Sequence, residues 1–267
     1  MSDRTSTDTA LARQIAGQRT VDIDRLDATA RRALGDALYP VQQLIFHGPE
    51  KEEFLDHVMF PDAERNMVRL YLDEAGATVG FCAVHRYRRK LNGRTYLVLR
   101  AEAGLHPDFR GRGSTYWFGI TRALRQKLRH PFTPLYYLGT LVHVSSYHLF
   151  YKYFPKIYPT PDRDMPDRVR DLALDLSESF HFPAVDPSDP LVRDAGWTTI
   201  ETPQEAVLSH QDNRLDVAYY RKRNPGYAHG HGLVVLVPLS WPNLAGAVFR
   251  RLREVISHKV TGRRPHL

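Results

Sequence analysis

A single cysteine, Cys82, occurs in the 267 residues of this chain, so no disulfide can form within it. Cysteine scarcity suits a reducing compartment, and a cytoplasmic protein is expected. Cys82 lies in the apolar run Val79–Val84, where a thiol usually packs as a small hydrophobe. No stretch reaches the roughly 18 consecutive apolar residues of a membrane-spanning helix. The polar first twenty residues carry no apolar core of a signal peptide. Internal repeats, low-complexity tracts and blocks of like charge are also missing. The pair His229 and His231 has no third ligand at a sensible spacing, so no metal is expected.

What is present is an ordinary globular composition with a basic balance. A hydrophobic share of 42% is enough for a sizeable core. Lys and Arg number 37 against 30 Asp and Glu, a formal net charge of +7. A basic surface can meet nucleic acid, anionic lipid or an anionic nucleotide cofactor. The arginines are spread along the chain and not gathered into a patch, so nucleic acid is not the expected partner.

Hydrophobic periodicity gives the order of elements. Residues 1–20 are polar and expected to be mobile. From Asp24 to His47 apolar residues recur at helical spacing, interrupted by Pro40, which predicts two short helices or a kinked one. Phe54–Val58 adds a further turn. Alternation at Val68, Leu70 and Leu72 marks a strand, followed by strands over Thr78–Tyr87 and Thr95–Leu105 with a tight Asn92-Gly93 hairpin turn between them. A helix over Ser114–Leu128, a buried strand over Leu135–Val144 and a short aromatic helix ending at Tyr153 follow, with Ser145 or Ser146 as its cap. Asp164–Phe180 reads as a helix, Pro183–Glu205 as loop with short strands, and Leu215–Lys222 as either strand or helix. Gly232–Leu239 is an apolar strand, and a basic helix over about Asn243–His258 closes the chain. This order predicts an α/β fold with a mixed sheet.

The stretch with the most chemistry is Leu97–Leu128, a strand feeding a glycine-containing turn that opens a helix. The first amides of a helix lack intrahelical partners and carry the positive end of its dipole. Glycines let that backbone approach a phosphate closely, and Arg110 and Arg112 add charge at the same place. The spacing completes neither Gly-x-Gly-x-x-Gly nor a P-loop. The strand meander before it also differs from the strand and crossover helix of a dinucleotide fold.

The run Leu105-His106-Pro107-Asp108-Phe109-Arg110-Gly111-Arg112-Gly113-Ser114-Thr115 resembles the acetyl-CoA signature of the GNAT superfamily of N-acetyltransferases. That family carries Arg/Gln-x-x-Gly-x-Gly/Ala after its fourth strand; Arg110 and Gly113 match, and Thr115 departs from Gly/Ala. A second element, Ser146 through Tyr153, is similar to the family's polar cap and tyrosine-ended helix, with Ile157-Tyr158 in place of its Gly-Phe. The resemblance covers roughly residues 68–158. It implies a GNAT-like, mostly antiparallel sheet flanked by helices over residues 21–160. Residues 161–267 would form a C-terminal α/β extension completing the sheet and the acceptor side.

The same resemblance implies acetyl-CoA or another acyl-CoA as co-substrate and a small-molecule or peptide amine as acceptor. The backbone of Arg110, Gly111, Arg112, Gly113, Ser114 and Thr115 would hold the pyrophosphate, with Ser146 and the splayed strand at Leu105 nearby. Glu102 would serve as base, His106 as its rival, and Tyr153 as acid to the departing thiolate, with Tyr151 as the alternative register. A longer acyl donor and a non-catalytic module binding acyl-CoA or nucleic acid are the other readings. The closing helix sets Phe249, Leu252, Val255 and Ile256 against Arg250, Arg251, Arg253 and Lys259, a pattern also compatible with contact at a membrane surface.

Overall fold

The computed structural model describes residues 13–110, 114–211 and 213–261. Strand β1 (Gly17–Asp22) opens the described chain. Residues 17–20, expected to be mobile, therefore belong to the sheet, and residues 1–12 lie outside the described residues. β1 is an edge strand with a polar outer row; Arg69 reaches from its neighbour to the Thr20 hydroxyl at 3.0 Å and to Gln18 at 3.1 Å. Its polarity hid it from an apolar-periodicity reading. Asp27 caps helix α1 (Ala28–Gln43), accepting from the Ala30 amide at 2.8 Å. Pro40 does not split this helix: it sits near the end, exposed, and removes a single backbone bond there. A short strand β2 (Phe46–His47) and helix α2 (Lys51–Val58) follow.

The meander is β3 (Arg65–Leu72), β4 (Thr78–Leu91) and β5 (Arg94–Leu105). Asn92 and Gly93 both take positive φ, 48° and 75°, as a two-residue hairpin between right-twisted strands requires. Next come α3 (Ser114–Arg129), β6 (Leu135–Leu141), α4 (Val144–Tyr153) and α5 (Asp167–Glu178). The remainder contains β7 (Val192–Asp194), β8 (Thr198–Thr199), α6 (Pro203–Ser209), α7 (Leu215–Arg223), β9 (His231–Pro238) and α8 (Trp241–Thr261). The ambiguous Leu215–Lys222 segment is thus helical. The imidazole of His143, ahead of the two serines, caps α4 by accepting from the Ser145 amide at 3.2 Å.

The main sheet has the order β1-β3-β4-β5-β6-β9-β7, and β2 pairs with β8 in a separate ribbon. Every neighbouring pair is antiparallel except β5 with β6. The C-terminal segment therefore completes the sheet, with β9 inserted between β6 and β7. Helices cover both faces. On one, Val68, Leu70, Phe81 and Ala83 pack with Leu38 of α1 and Phe54 and Leu55 of α2. On the other, Cys82, Val84 and Leu105 pack with Phe118 of α3. Cys82 is buried, and burial pushes its thiol up to about 12, so it stays protonated and unreactive.

Candidate active-site cleft

The parallel pairing of β5 with β6 is short: Leu97–Leu99 opposite Leu135–Tyr137. Beyond it β5 continues to Leu105 beside β4, while β6 stays with β9. The two strands part, and the sheet opens as a wedge. The Leu97 amide donates to Pro134 O toward β6, and the His106 amide donates to Val79 O toward β4. Amides alternate sides along a strand. Those of Ala101, Ala103 and Leu105 therefore face the wedge, where no strand pairs with them among the described residues. Buried amides require partners, so the wedge offers a row of donors to a ligand lying along β5.

A cavity of about 250 Å³ occupies this wedge and reaches both faces of the sheet. On the α1/α2 face stand Arg100 and Glu102, two residues apart on β5 and so on one side of the strand. Behind them runs a polar relay. Asp24 accepts from Asn66 Nδ2 at 2.9 Å, and Asn66 Oδ1 lies 2.8 Å from His85 Nδ1. His85 Nε2 lies 3.3 Å from Glu102 Oε2, both atoms buried, in contact but not in an aligned hydrogen bond. Burial alone would push the Glu102 carboxyl up; the adjacent His85, with Arg100 and His57, outweighs it and holds the carboxyl below the usual range. Glu102 is therefore charged at neutral pH, with Oε1 as its oxygen on the cavity side. His57 of α2 also lines the cavity; its Nδ1 lies 2.8 Å from Glu53 O, which can only accept, so in the neutral imidazole the lone pair is on Nε2. Phe46, Phe182 and Trp197 complete this side.

The opposite face is formed by α3, α4 and β6. Thr115 and Tyr116 of the first turn of α3 line the cavity, so the positive end of that helix dipole lies against it. Gly119, one turn on, has open space where a side chain would project. Two tyrosines line the cavity. The Tyr116 hydroxyl donates to Ala247 O at 3.1 Å, whereas the Tyr137 hydroxyl has no partner among the described residues and opens on the cavity. The Tyr137 ring stacks on Phe150, 4.8 Å between centroids, which fixes its direction. Burial raises its pKa well above the usual phenol range, keeping the proton in place.

The cleft gathers Glu102, Thr115 and Ser146 from the residues expected at a site. Gly111, Arg112 and Gly113 lie outside the described residues, and Ser114 begins α3. Three expectations need correction. Tyr153 is buried away from the cavity, its hydroxyl held by Glu254 and Arg251 of α8. Its rival Tyr151 stacks against Tyr147, also outside the lining. His106 lies outside as well; its Nδ1 accepts from the Asp108 amide at 3.3 Å and caps the 3-10 turn Pro107–Phe109.

Arg110 is the third correction. Its guanidinium donates to Leu105 O at 2.8 Å, Ile200 O at 2.7 Å and Glu205 Oε2 at 2.5 Å. Those contacts consume the charge in a buried ion pair that ties the turn to α6; its amide is also directed at Pro107 O, 3.3 Å away. Arg110 therefore brings no free cation to a phosphate. Leu105 packs in a cluster with Phe109 and Phe118, with only its amide toward the wedge. His57 and Tyr137 are cleft residues that the sequence did not single out, Arg100 was considered only as a structural partner of Glu102, and His85 stands behind Glu102 outside the lining. The one available signal was the presence of polar side chains on inward positions of apolar strands.

No protein-family model matches the chain, and no curated protein matches it by sequence. Solved structures are similar to it at low identity. The ribosomal-protein-S18-alanine N-acetyltransferase of Escherichia coli matches at 11% identity and a TM-score of 0.34, covering 84% of this chain and 95% of that one. Glucosamine-6-phosphate N-acetyltransferase of Arabidopsis thaliana matches at 14% identity and a TM-score of 0.31, covering 51% of this chain and 88% of that one. A probable N-acyltransferase from Enterococcus faecalis V583 matches at 12% identity and a TM-score of 0.32 over 51% of this chain; only 31% of that longer protein is spanned. The chain's own order of elements, a mostly antiparallel sheet whose fourth strand, β5, splays from the fifth, β6, ahead of helix α3, is the arrangement that the sequence resemblance implied.

Proposed function

We propose that the chain transfers an acyl group, in the first instance acetyl, from coenzyme A to an amine by direct attack within the wedge. The observation that carries this reading is the cavity itself. It joins the two faces of the sheet through the β5–β6 opening, with an anionic carboxylate on one side and an unpartnered phenol on the other. The thioester arm would enter along the α3/α4 face, its amides pairing with the free donors of β5 as an added strand would. The diphosphate would sit at the start of α3, where residues 110–115 were expected to hold it.

The acceptor would enter from the α1/α2 face. Glu102 attracts the ammonium and, with the lone pair of His57 Nε2, provides the route by which its proton leaves. Attack on the thioester carbon builds an oxyanion that a wedge-facing amide of β5 stabilises. When the carbon–sulfur bond breaks, the thiolate takes the Tyr137 proton, which bulk solvent later restores. This assigns to Tyr137 the part that the sequence resemblance implied for Tyr153.

Release of free thiol from acetyl-CoA, followed with a chromogenic thiol reagent across a panel of amines, tests the proposal. Amine-dependent release that falls in Glu102→Gln and Tyr137→Phe supports it. Saturable acetyl-CoA binding without release for any amine would leave a binding module in its place.

A further inference from the structure

Arg100 is the least explained group in the cleft. It is 7% exposed, yet forms no ion pair and no hydrogen bond among the described residues, and its Nη1 is buried without a partner. Its guanidinium is held between two rings, 4.6 Å from the centroid of Phe180 and 4.5 Å from that of Phe182. Phe182 is itself anchored, its carbonyl accepting from the buried Arg193 at 3.0 Å. The cation thus lies against two rings at the wall of the cavity, which Arg100 and Phe182 both line. Burying a charge without a hydrogen-bonded counter-ion is costly, and cation–π contact offsets only part of that cost. Glu102, two residues along the strand, is engaged on its far side by His85. The Arg100 guanidinium therefore keeps hydrogen-bonding capacity that no described residue uses.

We infer that the acceptor is an amine that also carries a carboxylate, bound with its carboxylate on Arg100 and its amine at Glu102. This rests on the acyl-transfer reading and adds the substrate class. A guanidinium presents paired donors that match the two oxygens of a carboxylate. Arg100 and Glu102 lie two residues apart on one face of β5, a spacing of about 7 Å along the strand. Opposite charges at that separation suit the amine and acid of one small molecule. The rim of Phe46, Phe182 and Trp197 would receive an apolar or aromatic remainder. Phe180 and Phe182 follow α5, so the C-terminal segment would be the part of the chain that sets acceptor choice.

The experiment uses matched probes: L-phenylalanine, its amide, and phenethylamine, which lacks the carboxylate. Thiol release from acetyl-CoA is measured with each, for the full chain and for Arg100→Met and Arg100→Lys. A charge-assisted pair predicts kcat/KM for the acid about tenfold to a hundredfold above the amide and the decarboxylated amine. Arg100→Met should erase that preference through KM, bringing kcat/KM for the acid down to that of the amide and of phenethylamine measured in the same variant, and should unfold at a similar temperature. Arg100→Lys should fall between the two. In parallel, thermal unfolding is measured with L-phenylalanine alone, a readout independent of coenzyme A. Stabilisation by the acid, lost in Arg100→Met, supports the carboxylate site even if no thiol is released, in which case the acyl-transfer reading alone fails. Equal use of acid and amide, or a preference that survives in Arg100→Met, overturns the inference, as does an absence of stabilisation by the acid.

Discussion

Gly119 offers a direct test of what the cavity is for. Glycine inside a helix costs roughly 0.5–1 kcal/mol relative to alanine. Gly119 sits in the sixteen-residue helix α3, yet a Cβ there would meet nothing within 4 Å. Packing therefore does not demand glycine, and the position borders the cavity. Gly119→Ala should stabilise the fold by that increment, raising Tm by about 1–4 °C for a chain of this size. Gly119→Leu also has room in the free protein, but its branched end projects into the arm of the cleft assigned to the thioester. Overpacking of that kind costs about 1–3 kcal/mol, so the acetyl-CoA Kd should rise by roughly 5- to 150-fold. Calorimetric titration with acetyl-CoA, alongside thermal unfolding of each variant, measures both effects. Unchanged acetyl-CoA affinity in a folded Gly119→Leu protein would refute the placement of the donor arm.

Other outcomes follow from the same geometry. Tyr137→Phe should lower kcat by about a hundredfold with little change in acetyl-CoA affinity, while Tyr153→Phe should cost stability and leave turnover near normal; single-turnover rates and unfolding curves separate the two. Glu205→Ala strands the Arg110 guanidinium in a buried site and should destabilise the fold by about 3 kcal/mol or more, read by urea unfolding. Burial would raise the Glu254 carboxyl, but hydrogen bonds from Lys152 and Tyr153 and the Arg251 contact hold it at about 2, against an ordinary 4.5. A depressed folded value gives stability that is present above the unfolded pKa and lost as pH falls toward 2. The acid limb of the stability curve between pH 5 and 3 should therefore be shallower in Glu254→Gln than in the parent chain.

The elements that the sequence revealed are those set by local rules. Period-two alternation located β3, β4 and β5, and the Asn92-Gly93 pair specified its own turn through positive φ. Glu102 was singled out through the family resemblance of its strand, and it lies in the cavity lining. Tyr153 was misleading for a physical cause: which phenol faces the cleft depends on α8, a hundred residues downstream, whose Glu254 and Arg251 capture that hydroxyl. Arg110 misled in the same way, because its partner Glu205 is distant in sequence. His57 and His85 come from other elements altogether, and only the packing of α2 and the register of β4 bring them to Glu102. Edge strand β1 escaped notice because its cross-strand pairs are polar.

The central claim is that the opening between β5 and β6 binds an acyl-coenzyme A. Its most direct test is calorimetric titration of the intact chain with acetyl-CoA. Saturable one-to-one binding is the expected outcome. No detectable heat and no competition with free coenzyme A at about millimolar ligand, conditions under which linkage should stabilise any specific complex, would contradict it.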